Sequence, residues 1–169
     1  MTNENSLDGV DAIIAQWQTE KPHLDLSAMA IIGRLKRCAA LMQPRLDRVF
    51  DEFGLSFWEF DVLATLLRSG APYCLAPTEL FSTLMITSGT MTHRMTQLEK
   101  KGLIERVANQ QDARSKLVKL SQQGLDIVNQ AVEEHVQNEL KILSPLTQEQ
   151  QKQLNDALNT LLVLLEQPE

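Results

Sequence analysis

The residues of this chain that could do chemistry are not those of an enzyme. Ser88, Thr90, Thr92, His93 and Thr96 fall in one short stretch, each small or polar and each able to hydrogen-bond. Such side chains near the start of a helix can reach base edges or phosphates without steric cost. From Arg94 to Lys119 the cations Arg94, Lys100, Lys101, Arg106, Arg114, Lys116 and Lys119 outnumber Glu99, Glu105 and Asp112. The whole chain is acidic at −6, which argues against broad affinity for polyanions, so basic surface is concentrated in one place. No nucleophile, acid–base pair or phosphate loop has supporting context, and an enzyme is not expected. His23, His93 and His135 are scattered among different elements, so neither a metal site nor a cofactor is expected.

The elements that must position these residues follow from local signals. Pro77 suits the first turn of a helix, with Leu80 and Leu84 on its apolar face and an end near Met85. Thr87 can cap a second helix with Met91, Met95 and Leu98 inward, ending at Lys101 where Gly102 supplies the left-handed stop. Leu103 to Ala108 and Ser115 to Leu120 read as strands around the turn formers from Asn109 to Arg114. Two short helices and a two-stranded ribbon make a winged helix-turn-helix.

The flanks read as helices. Leu7, Val10, Ile14 and Trp17 give a short amphipathic helix ending before Lys21 and Pro22. Asp25 or Ser27 starts the next, with a stripe of Ile31, Leu35, Cys38, Met42, Leu46, Val49 and Phe53, a kink expected at Pro44 and a stop at Gly54. Ser56 and Glu59 form a capping box for a helix whose inward face is Phe57, Phe60, Leu63, Ala64 and Leu67. Ser121 caps a helix to about Leu143, and Thr147 with Gln150 caps a last one striped by Leu154, Leu158, Leu161 and Leu165. These terminal helices, apolar on one side, are what a dimer interface needs.

The fold class is therefore mainly α with a small β-wing: a winged helix-turn-helix with N- and C-terminal dimerisation helices. Its parts are residues 1–24, an extra N-terminal helix and linker; 25–54, a dimerisation and scaffold helix; 55–121, the winged module; and 122–169, the C-terminal dimerisation helices. Cys38 continues the apolar stripe and, like Cys74 beside Tyr73 and Leu75, reads as a buried small hydrophobe. No apolar run reaches the roughly 20 residues of a membrane span, and the first residues lack the basic and apolar regions of a signal peptide, so cytoplasmic residence is expected.

Three charged residues sit oddly. Asp61 has mostly apolar helical neighbours, Trp58, Ala64, Phe57 and Thr65, and a buried carboxylate there needs a partner. Arg94 lies between Met91 and Leu98 on the edge of the buried side of its helix, and strand alternation puts Arg106 on the side of Ile104. Both arginines can point inward, although phosphate contact would also account for them.

The run SGTMTHRMTQLEKKGLIERVANQQDARSKLVKLSQQG resembles the MarR family of bacterial winged-helix regulators, whose wing carries an Asp-x-Arg pair that Asp112 and Arg114 match. The similarity extends less specifically from about Leu7 to Leu165. It implies a homodimer on a pseudo-palindromic double-stranded DNA operator, with the reading helices in major grooves about 34 Å apart. Ser88, Thr90, Thr92, His93, Thr96, Arg114 and Lys116 would contact DNA, and Asp112 would orient Arg114 by a charge-assisted hydrogen bond. Where the family often has a proline and an extra arginine in the wing, this chain has Gln110, Gln111 and Ala113, a less charged tip.

A narrower resemblance joins Trp17, Asp61, Arg94 and Arg106 to the four-residue signature of the urate-responsive, PecS-like branch. It implies a repressor released from DNA by a small planar anion, urate or a related purine. Trp17 would stack on the ligand, the arginines would take its charge, and Asp61 would compete for Arg106, to which it is paired without ligand. The alternative is a regulator answering phenolic or aromatic acids, or cysteine oxidation.

Overall fold

The computed structural model describes residues 7–84, 91–110 and 115–167, with backbone alone at 91 and 92. The elements are α1 (Gly9–Glu20), α2 (Ser27–Glu52), α3 (Phe57–Arg68), β1 (Cys74–Leu75), α4 (Pro77–Thr83), α5 (Met91–Lys100), β2 (Ile104–Ala108), β3 (Lys116–Leu120), α6 (Gln122–Leu143) and α7 (Gln148–Leu165). The chain divides into two compact units, residues 1–45 and 46–169, with the boundary inside α2.

In the first unit, α1 begins two residues later than its apolar pattern suggested, at Gly9. Asp8 is the N-cap, accepting from the N–H groups of Val10 and Asp11, while the Asp11 carboxylate answers the Asp8 N–H. Leu7 thus precedes the helix and is exposed. The Asp11 N–H, and then the Arg34 guanidinium, hold the Asp8 carboxyl below its ordinary pKa. Arg34 pairs with both Asp8, at 2.8 Å, and Asp11, and Val10 comes close to Gly33, where a Cβ would stand 3.1 Å from it. Small residue, buried valine and forked ion pair lock α1 onto α2. The α2 helix starts at Ser27, whose N–H bonds the Asp25 carboxylate, and it continues through Pro44.

The core lies in the second unit. Phe50, Val62, Leu63, Leu66, Leu80, Leu98, Val118 and Val128 are fully buried, with Phe50 stacked on Phe60 at 4.3 Å between ring centroids. On α3 Phe60 and Leu63 are buried as expected, but the buried face also takes in Val62 and Leu66, whereas Phe57 is 45% exposed. Packed by α4, α6 and the sheet together, α3 is covered over a broader arc than a single stripe.

The sheet has a third strand beyond the two of the ribbon, in the order β1-β3-β2, with Cys74 opposite Lys119 and Leu75 opposite Val118. Tyr73, at φ 59, turns the chain into it. The ribbon itself runs in register from Ile104↔Leu120 to Ala108↔Lys116. After β3, the Ser121 hydroxyl donates to the Gly102 carbonyl at 2.6 Å and accepts from the Gly124 N–H, while the Ser121 N–H bonds Leu103 O. A Cβ on Gly124 would fall 1.9 Å from Leu103 O, so only glycine allows α6 to start against the end of the reading helix.

Candidate nucleic-acid interface and anion site

The helix pair is set by its turns. Pro77 opens α4, the Glu79 carboxylate accepts from the Ala76 N–H at 3.0 Å, and Leu80 and Leu84 are buried. On α5, Met95 and Leu98 are buried and fix which side faces out. His93, Thr96, Gln97 and Lys100 are exposed, with His93 Nε2 and Gln97 Nε2 2.8 Å apart. Gly102, at φ 71, ends the helix as expected, and the Leu103 N–H returns to Leu98 O. The cap assigned to Thr87 and the contacts assigned to Ser88 and Thr90 lie outside the described residues, as does the side chain of Thr92.

At the base of the wing, the Asn109 N–H meets Ser115 O at 3.4 Å and its amide donates to the Ser115 hydroxyl at 2.9 Å. Lys116 starts β3 exposed. Asp112 and Arg114 lie outside the described residues. The basic excess is smaller in three dimensions than in the sequence, because several of its cations are paired. Lys101 meets Glu59 at 2.7 Å, Arg106 meets Glu99 at 3.1 Å and Lys119 meets Glu105 at 3.4 Å.

The Lys101 pair is a clamp. Glu59 is buried at the start of α3, where the Ser56 N–H and hydroxyl both donate to its Oε2, at 2.8 and 3.0 Å. Burial pushes the Glu59 carboxyl up. The Lys101 hydrogen bond, the two Ser56 bonds and the lysine charge outweigh that and hold it below its ordinary pKa. Lys101 Nζ also donates to Gly54 O at 3.2 Å, so the end of the reading helix is fastened to the α2–α3 corner.

Of the four residues given to a ligand, Trp17 belongs to the first unit and Asp61, Arg94 and Arg106 to the second. Trp17 is 41% exposed on α1. Asp61 is half-buried, and burial raises its pKa against a weaker opposing pull from the Arg68 charge. The expected Asp61–Arg106 pair is not formed. Arg106 lies opposite the buried Val118 and on the strand side of the buried Ile104, and there its guanidinium takes Glu99, from α5 directly before the turn into β2. The α5–β2 turn folds the two together, and that local partner wins over one on α3.

Arg94 points inward. Its Cζ stands 5.1 Å from the ring centroid of Trp58, and its Nη1 is buried without a hydrogen-bond partner among the described residues. Trp58, which sequence reasoning used only as a neighbour of Asp61, also walls a groove of about 470 Å³ with Ser56, Glu59, Gln97, Lys100 and Lys101. The available signal was its spacing of three from Asp61, which puts both on one face of α3.

The cysteines part ways. Cys38 is exposed rather than buried, because the α2 stripe it continues is itself open in the single chain, with Ile31 63% and Leu35 40% exposed. Cys74 is half-buried on β1, and burial raises its thiol pKa. Among the described residues no group of three His, Cys, Asp or Glu is placed to hold a metal ion, and no helix is long and apolar enough to cross a membrane.

This geometry can be compared with known proteins. The MarR family model matches residues 55–116. The chain is 42% identical over 149 residues to the HTH-type transcriptional regulator PecS of Dickeya dadantii, covering 88% of this chain and 90% of that one. A mutant MarR from E. coli, solved in complex with operator DNA, superposes with a TM-score of 0.68 at 25% identity, over 81% of this chain and 97% of that one. A MarR family transcriptional regulator from Streptomyces coelicolor, solved in complex with DNA, superposes with a TM-score of 0.74 over 85% and 91% of the two chains; at 24% identity it speaks for the fold alone.

Proposed function

The chain belongs to the MarR family, and we propose that it is a DNA-binding transcriptional regulator, a cytoplasmic repressor that leaves its operator when a small planar anion binds. As a homodimer it places two α5 helices in successive major grooves of a pseudo-palindromic site, about 34 Å apart. The exposed face of α5, with His93 and Thr96, and Lys116 of the wing support this reading. Ser88, Thr90, Thr92 and Arg114 are assigned to the DNA with them, and Asp112 to the wing tip.

The observation that carries the ligand side is the state of the two arginines. Arg94 is held inward with a buried nitrogen unpartnered, and Arg106 is engaged by a single carboxylate of the reading helix. An anion entering between them satisfies the first and competes with Glu99 for the second, releasing a link between wing and reading helix. Asp61, half-buried and already raised in pKa, is repelled by the incoming charge. The ligand acts by binding the DNA-incompetent arrangement more tightly. Trp17 enters this reading through the branch signature alone. Urate or a related purine is the proposed anion, as in the branch that the PecS relative represents; a phenolic or aromatic acid is the competing ligand.

The test is fluorescence anisotropy of the protein on DNA from upstream of its own gene, titrated with urate and with salicylate. Release by urate at lower concentration, lost in Arg106→Ala and in Trp17→Phe, supports the purine reading. Release by salicylate alone moves the assignment to aromatic acids, and DNA binding indifferent to both sinks the anion switch.

A further inference from the structure

We propose that Trp58 is a positioning residue for the anionic ligand: its indole holds the Arg94 guanidinium in place and leaves Nη1 for the ligand to take. The inference rests on the reading of Arg94 given above and deepens it.

The argument starts from what Arg94 lacks. A guanidinium carries five N–H donors, and a buried donor without an acceptor costs free energy until something supplies one. Nη1 is such a donor among the described residues. Two carboxylates, Glu59 on α3 and Glu99 on α5 itself, are already committed. Glu59 is held by Lys101 and twice by Ser56, and Glu99 is held by Arg106. With no carboxylate to anchor it, Arg94 has the Trp58 ring, 5.1 Å from Cζ and within the range of a cation–π attraction.

That kind of attachment has a useful property. The ring attracts the charge through its face and consumes no N–H donor, so the guanidinium is held while its hydrogen-bonding capacity stays open. A carboxylate partner would fix Arg94 equally well but would have to be displaced. Trp58 is itself held, half-buried against the core while also walling the groove between α3 and the end of α5. Three positions on, Asp61 shares its face of α3, so the residue that orients the cation and the carboxylate that repels an anion move as one body.

Full-length protein tests this in two ways. By NMR, the Arg94 side-chain protons should be displaced upfield by the indole ring current in the wild type, partly so in Trp58→Phe and not in Trp58→Leu. By calorimetry, urate and salicylate serve as probes. The probe that binds wild type should lose at least about tenfold in affinity in Trp58→Leu and recover most of it in Trp58→Phe, with ligand-free DNA affinity and Tm of the Phe variant unchanged. Wild-type affinity in Trp58→Leu, or undisplaced Arg94 signals in the wild type, would overturn the proposal. So would equal losses in both variants accompanied by a fall in DNA affinity, which would mean a purely structural tryptophan. Displaced signals in a wild type that binds neither probe would overturn the anion-site reading beneath it, and Trp58 would then be a packing partner of Arg94.

Discussion

Helices α3 and α7 carry leucines at the same helical spacing and meet opposite fates. On α3, Val62, Leu63 and Leu66 are fully buried; on α7 no residue is, and Leu154, Leu158, Leu162 and Leu165 are 40–72% exposed. Both helices open on a capping pair in which the third residue's side chain accepts from the cap N–H, Glu59 from Ser56 and Gln150 from Thr147. The difference therefore does not lie in local structure but in what covers the face. An apolar period specifies a side of a helix, not the surface that closes on it. Burying a leucine is worth roughly 1.5–3 kcal/mol, so α7 has stabilisation still to gain. In the proposed dimer, α7 and the open stripe of α2 gain it from a second copy.

This contrast can be broken most forcefully in the core. Phe50→Ala, removing a fully buried ring stacked on Phe60, should cost about 4 kcal/mol by urea denaturation. Leu158→Ala should cost far less at concentrations where the chain is monomeric, and equal costs would abolish the distinction. Next in size, Leu158→Glu combined with Leu162→Glu should leave the chain folded but monomeric in sedimentation. Its operator affinity should fall roughly 100-fold, about 2.7 kcal/mol. A variant that stays dimeric would remove α7 from the interface.

The third effect sharpens the account of α3. Glu59→Gln should cost about 2 kcal/mol, since it uncouples a buried carboxylate from Lys101 and weakens its bonds to Ser56. The folded pKa of Glu59 lies below its unfolded value of about 4.3, so its stabilisation is present above that pH and lost as pH falls through the folded pKa. The variant should accordingly show a shallower acid limb, and an unchanged pH profile would mean that the clamp is idle. The smallest effect runs the other way. Asp61 has a raised folded pKa, so its charge opposes folding at neutral pH, and Asp61→Asn should raise Tm slightly at pH 7. The gain should vanish below about pH 3.9, and a fall in Tm would instead give the carboxylate a stabilising partner.

What was legible in the sequence was local. Pro77 at a helix start, Gly54 and Gly102 in left-handed stops, and Ser121 and Thr147 as caps are decided by a few neighbouring residues, and all stand where the pattern put them. Strand alternation likewise put Arg106 on the side of Ile104. What failed required knowledge of distant partners. The two-residue strand β1 exists because β3 lies beside it, and no period can announce so short a segment. The period of α2 puts Cys38 on an apolar stripe, but in the single chain that stripe is open and the thiol is exposed. The narrower resemblance pairs Arg106 with Asp61, whereas the turn between α5 and β2 delivers Glu99 to it first. The role of Trp58 depends on Arg94 of α5 standing over its ring, a contact between elements that spacing along α3 does not show.

Gly124 bears on how a signal could travel. With Leu103 O occupying the space of its missing side chain, and Ser121 bonded to both Gly102 and Leu103, the end of α5 and the start of α6 meet at a joint without slack. A hinge absorbs rotation; a joint of this kind passes it on. Whatever swings α5 must therefore drag the long lever of α6 with it, and a small displacement near Leu103 becomes a larger one at the far end, some 22 residues of helix away.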